Sequence, residues 1–186
     1  VILALQTARY LIKVVNEARL RPDEPVAGSV AYVQDTPLGE VDLADPSADL
    51  VATLLALMKD RARAVAADLA EDFNAATAAG ADFDAALNSV AVLGWHATEC
   101  HCMYVMALNA VEAMPKQVED PAALAALVTL LELVLLQAVK EDAGNFALGR
   151  AQQRLAQQLI TERLDRVRPD AVVLSDSLGF QDHNLK

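Results

Sequence analysis

The chain is 186 residues long, 54% hydrophobic but only 4% aromatic, with 7 glycines and 7 prolines, so its core is built from Ala, Leu and Val in long uninterrupted runs, the composition of helices. A length of this kind buries roughly 70% of the unfolded chain's surface and supports one sizeable core. The net charge of −11, with 15 scattered basic residues, argues against a nucleic-acid partner, which needs clustered Lys and Arg to displace counterions.

Residues 1 to about 20 read as a helix with Leu5, Ala8, Ile12 and Val15 on one side, stopped at Arg21-Pro22 because proline disfavours helical geometry in the residue before it. An acidic connector follows, gathering Pro22, Pro25, Pro37 and Pro46, with a short extended piece expected at Ser29 to Val33. Asp45 or Ser47 is expected to cap the next helix, which runs to about Asn74 with Leu50, Leu54, Leu57, Met58, Val65, Leu69 and Phe73 as its apolar stripe. Gly80 and Asp82 restart the chain. One long helix is then predicted from about Asp82 to Met114, where Phe83, Leu87, Val90, Gly94, Ala97, His101, Tyr104, Leu108 and Val111 keep a near-heptad seam, and Pro115 ends it.

Asp120-Pro121 forms a helix start with Asp accepting orphan amides and Pro preset at the first turn. Ala122 to Val139 is apolar except for Thr129, Glu132 and Gln137. It reaches the lower length limit of a membrane span, but an acid near its middle costs about 2.5–3.5 kcal/mol on insertion, so a helix buried at the centre of a bundle is expected and no membrane span. Gly144 or Gly149 breaks this helix. A polar-faced helix follows from about Arg150 to Val167, then a short one from Ala171 to about Ser177 leading into a turn at Leu178 to Asp182. The fold class expected is all-α, an up-and-down helical bundle.

The segment His96, Glu99, Cys100, His101, Cys102 packs zinc-type ligands into seven residues. Helix geometry separates them, since only His96 and Cys100, at i and i+4, share a face. Two more donors would have to come from another element, and the only other histidine is His183, so no metal ligand set is assigned. The expected roles are a small hydrophobe for the buried cysteine and a hydrogen-bonded core position for His101. Cys100 and Cys102 diverge by about 200° around the helix, so they cannot bridge, and reduced thiols imply an intracellular compartment. Neither cysteine has the adjacent cation or helix N-terminus that activates a nucleophile, and no glycine-rich phosphate loop is present. Asn145-Phe146 and Gln181-Asp182 are expected to lock loops onto the core.

Five ordered motifs carry a family resemblance: Gln6-Thr7-Ala8-Arg9-Tyr10-Leu11; Ala27 to Tyr32 with Asp35-Thr36-Pro37; Glu99 to Tyr104; Asp142 to Phe146; and Arg168 to Val172 through Phe180-Gln181-Asp182. Together they resemble the C-terminal part of the acyl-CoA oxidases. Met103 departs from the pattern, standing where family members often have histidine. The resemblance implies an FAD enzyme in which a glutamate takes the α-proton of a fatty acyl-CoA, hydride passes to the flavin, and dioxygen leaves as hydrogen peroxide, the first step of peroxisomal β-oxidation. It implies that residues 1–20 are the last helix of the dehydrogenase-like core, 21–46 a linker and 47–186 the C-terminal helical domain, contributing to a homodimer. It also implies that the catalytic glutamate and the flavin-binding residues lie upstream, so no catalytic or cofactor-binding residue is assigned here and the chain alone is expected to be inert. Peroxisomal localisation follows from the family, since the chain carries no Ser-Lys-Leu type signal. Exposed apolar surface is expected around Val1 to Leu11. The competing reading is a stand-alone interaction module that binds a partner helix through Leu124 to Val139.

Overall fold

The computed structural model describes residues 2–45, 47–177 and 179. Among them are seven α-helices and no strand: α1 (Ile2–Leu20), α2 (Leu50–Ala78), α3 (Phe83–Ser89), α4 (Ala91–Gln117), α5 (Pro121–Glu141), α6 (Arg150–Val167) and α7 (Ala171–Ser177). They form the expected up-and-down bundle, in which α2 packs on α1, α4 and α5, and α6 packs on α5. The expected Leu178 to Asp182 turn and His183 lie outside the described residues apart from Gly179.

Two large apolar cores lie along the rods, beside a small third one of Val15, Ala66 and Ala70. One joins Leu11 and Ile12 of α1 to Val65 and Leu69 of α2 and Ala97 and Cys100 of α4, with Val30 and Tyr32 of the connector. The other joins Leu54 and Met58 of α2 to Leu135 and Val139 of α5, Ile160 of α6 and Phe146. Tyr104 packs against both.

Several local expectations give way to side-chain chemistry. The connector's Gly28–Gln34 stretch winds as a 3-10 helix instead of an extended piece, burying Val30 and Tyr32. The cap of α2 is Asp49, whose carboxylate accepts from the amides of Val51 and Ala52, while Asp45 instead closes a local turn by accepting from the amide and hydroxyl of Ser47. The single helix predicted from 82 to 114 is two, broken at Val90 (φ −104°, ψ 12°). There the Ser89 hydroxyl donates to the Ala86 carbonyl at 2.7 Å, offering the backbone an alternative to the helical ladder. Pro115 does not end α4. It forfeits one ladder bond in the last turn, and the helix continues to Gln117.

The largest correction concerns α5. It is the one described helix long and apolar enough to cross a membrane, with a mean hydropathy of 2.2, yet only 28% of that window is buried. It does not run through the bundle centre. Its C-terminal half is held between α2 and α6, while Leu130 and Val134 remain 37% and 45% exposed. Glu132 is taken up by the buried Arg163 of α6.

At Gly94 α4 passes close to α1: a Cβ there would lie 3.1 Å from Ala8 Cβ and 3.8 Å from Leu69 Cδ1. Valine at this position forces extra methyl groups into a filled seam. Gly94→Val is expected to lower stability by about 1–3 kcal/mol in urea unfolding. Gly94→Ala should be near neutral, its gain in helix propensity of about 1 kcal/mol offsetting the tight contact.

Candidate functional site

The densest polar cluster forms where the end of α5 turns back over α4. Arg61 comes from the middle of α2, His96 and Cys100 from successive turns of α4, Asp142 from the C-cap of α5, and Asn145 and Phe146 from the 3-10 turn that follows. Asp142 is the hub: its Oδ2 lies 3.2 Å from Arg61 Nη1 and 3.3 Å from His96 Nε2, and its Oδ1 accepts from Asn145 Nδ2 at 2.6 Å. Cys100 Sγ is 3.7 Å from His96 Nε2, and Asn145 Nδ2 is 3.2 Å from the same nitrogen. Arg61, only 6% exposed, lies over the Phe146 ring at 4.9 Å. A groove of about 580 Å³ opens beside the cluster, rimmed by Glu99, Cys102, Met103, Met106 and Glu141.

The sequence reading found His96 and Cys100 on one face, and the structure agrees. Asp142 reaches them from forty-odd residues further along the chain, within the Asp142-to-Phe146 motif, a separation that helical spacing does not span. Asn145 and Phe146 do lock the α5–α6 corner onto the core, as expected. Burial pushes the Cys100 thiol up to about 11, with the Arg61 charge opposing the shift, so the thiol is protonated and a poor nucleophile at neutral pH. Cys102 is exposed at the rim of the same groove, and both cysteines are free.

The second polar cluster is structural. Tyr32, buried in the connector, meets His101 Nδ1 at 3.0 Å and stacks edge-on against Tyr104 with centroids 5.3 Å apart. Desolvation raises the Tyr32 hydroxyl and lowers His101 from its ordinary value of 6.5. The unfolded imidazole therefore binds a proton near 6.5 while the folded one resists it until lower pH, and folding stability declines as pH falls below that value. His101→Gln is expected to flatten this part of the stability profile between about pH 7 and 5, measured by thermal unfolding.

The acyl-CoA oxidase family profile matches residues 50–186. The chain belongs to the acyl-CoA oxidase family. It is 28% identical to peroxisomal acyl-coenzyme A oxidase 2 of Rattus norvegicus over 99% of its own length and 28% of that protein's. It is likewise 28% identical to peroxisomal acyl-coenzyme A oxidase 1 of Homo sapiens, over 99% of this chain and 29% of the relative. The chain thus spans less than a third of the relatives it matches. The fold recurs in apo acyl-CoA oxidase-1 of Caenorhabditis elegans, with a TM-score of 0.87 at 21% identity over 97% of this chain and 29% of that one. It also recurs in acyl-CoA oxidase-2 of the same organism, solved with FAD, ascaroside-CoA and ATP, with a TM-score of 0.83 at 24% identity over 96% of this chain and 26% of that one. The relatives are oxidoreductases by name.

Proposed function

We propose that this chain is the C-terminal helical portion of an FAD-dependent, peroxisomal acyl-CoA oxidase, which oxidises a fatty acyl-CoA with dioxygen to a trans-2-enoyl-CoA and hydrogen peroxide. In this reading α1 is the last helix of the dehydrogenase-like core, residues 21–46 are the linker, and residues 47–186 brace the enzyme and contribute to a homodimer. The observation that carries it is that 99% of the chain aligns with a single stretch amounting to 28% of a peroxisomal oxidase. FAD and acyl-CoA would be held by residues in the part of the relatives that this chain does not span, and no residue here is proposed as the base that removes the α-proton.

The chemistry of the described residues supports this division of labour. A base for α-proton removal must be a carboxylate held against the thioester beside a flavin ring. The least exposed of the paired carboxylates, Glu132, Asp60 and Asp142, are each committed to an arginine. Ile2 and Leu3 at the start of α1 are 76% and 83% exposed, an apolar surface suited to packing on another body, although Ala8 and Leu11 further along are buried.

The test is the mass and visible spectrum of the native protein. A mass severalfold above the 19.9 kDa of this chain, accompanied by flavin absorption, supports the reading. A colourless native protein of 19.9 kDa overturns it. The 186-residue chain made alone is expected to retain no FAD and to release no peroxide from an acyl-CoA.

A further inference from the structure

We propose that His96, Cys100 and Asp142 form a binding site for one divalent transition-metal ion of the zinc class, with a fourth coordination position open to the groove beside α4. The three donors come from two elements, and their ligand atoms all lie within 4.8 Å of one another. Zinc sits about 2.0–2.2 Å from nitrogen and oxygen and about 2.3 Å from sulfur, which places neighbouring ligand atoms of a tetrahedral site about 3.3–3.6 Å apart. The observed separations are 3.3 Å from His96 Nε2 to Asp142 Oδ2 and 3.7 Å from His96 Nε2 to Cys100 Sγ.

Hydrogen-bond accounting at His96 points the same way. Asn145 has its amide nitrogen fixed toward Asp142 Oδ1 at 2.6 Å, so its other N–H is the group facing His96 Nε2 at 3.2 Å. That nitrogen also faces a carboxylate oxygen at 3.3 Å. With a lone pair it suits Asn145 and opposes Asp142, and with a proton it suits Asp142 and opposes Asn145. No single protonation state serves both neighbours. A cation between Nε2, Oδ2 and Sγ directs all three lone pairs inward and leaves Asn145 bonded to Oδ1, the outer-shell contact that orients a ligating carboxylate.

Arg61 does not block the site, because a carboxylate oxygen has more than one lone pair and Oδ2 can serve both the guanidinium at 3.2 Å and the ion. The surroundings suit a cation: the ion displaces the Cys100 proton to solvent, and the resulting thiolate and Asp142, with Glu99 and Glu141 on the rim, set four negative charges against the three positive ones of the ion and Arg61. Three protein ligands with Met103 and Met106 lining the approach leave room for water or a small ligand in the open position.

Cobalt(II) chloride titrated into the protein that carries this chain, dialysed first against chelator, tests the site by difference absorption. One equivalent should produce a thiolate-to-cobalt charge-transfer band that zinc abolishes by displacement. Cys100→Ser, which keeps the packing volume, should lose the band while circular dichroism stays unchanged, and Cys102→Ala should keep it. His96→Gln should weaken binding at least as much as Asn145→Ala, for which about 10–100-fold is expected. No charge-transfer band, or a band that survives Cys100→Ser or disappears with Cys102→Ala, overturns the proposal. None of these readouts depends on flavin or on turnover, so the outcome is separate from that of the oxidase reading.

Discussion

Glu132→Ala is expected to destabilise the fold by about 3–5 kcal/mol, the cost of stranding a buried charge. Glu132 and Arg163 tie the middle of α5 to α6 with side chains only 12% and 9% exposed. Glu162 can take over only in part. Glu162 reaches within 3.0 Å of Arg163 Nη1 but is 49% exposed, and the contact lacks hydrogen-bond geometry, leaving that nitrogen without a partner. Equilibrium unfolding in urea would show the loss as a lower midpoint. A double replacement, Glu132→Leu with Arg163→Met, should recover most of it, since the burial cost of the charge disappears with the charge. A single-mutant loss below about 1 kcal/mol would mean that the pair behaves as a surface contact.

Asp142→Asn should have an effect of similar size, about 3–5 kcal/mol, measured with chelator present so that metal binding does not contribute. Asparagine keeps the shape and removes the charge that Arg61 and His96 share. Arg61 would be left with the Phe146 face, an interaction of about 0.5–2 kcal/mol, and with a buried Nε that already lacks a partner. Adding Arg61→Met in the Asp142→Asn background is the rescue that separates charge burial from loss of the corner itself. If Asp142→Asn melts like the parent, the hub role assigned to this carboxylate is wrong.

Much of the architecture was legible because periodicity and caps are local signals. The Leu54 to Phe73 stripe, the Asp120 cap and the Arg21-Pro22 stop all act within a few residues, and the structure repeats them. What escaped was decided by competition between near-equal local options or by distant partners. Asp45, Ser47 and Asp49 are all good cap residues within five positions, and only the seating of Leu50 and Leu54 on the core selects the last. Val90 belongs to the predicted seam and is indeed buried, yet the rod splits there, where the Ser89 hydroxyl bonds back to the Ala86 carbonyl. For α5, hydrophobicity signalled burial without saying in what. Its uncovered face around Leu130 and Val134 is a surface the composition alone cannot distinguish from core.

The cluster at His96 shows the same limit in chemical form. Helical spacing paired His96 with Cys100, but the carboxylate that completes the set arrives through the fold of an interhelical corner, at a sequence separation no periodicity rule spans. The family resemblance had marked Asp142 to Phe146 as special without saying why. The structure supplies a physical reason, since each of Asp142, Asn145 and Phe146 touches Arg61 or His96.

The division of the apolar interior into two main clusters bridged by Tyr104 has a kinetic corollary. Helices α2 and α4 thread both clusters, whereas α5 and α6 belong to one alone, so the α5–α6 hairpin is free to detach as a cooperative unit while the other end stays folded. Amide protons in α5 and α6 would then exchange with solvent through a lower-energy opening than those of central α2.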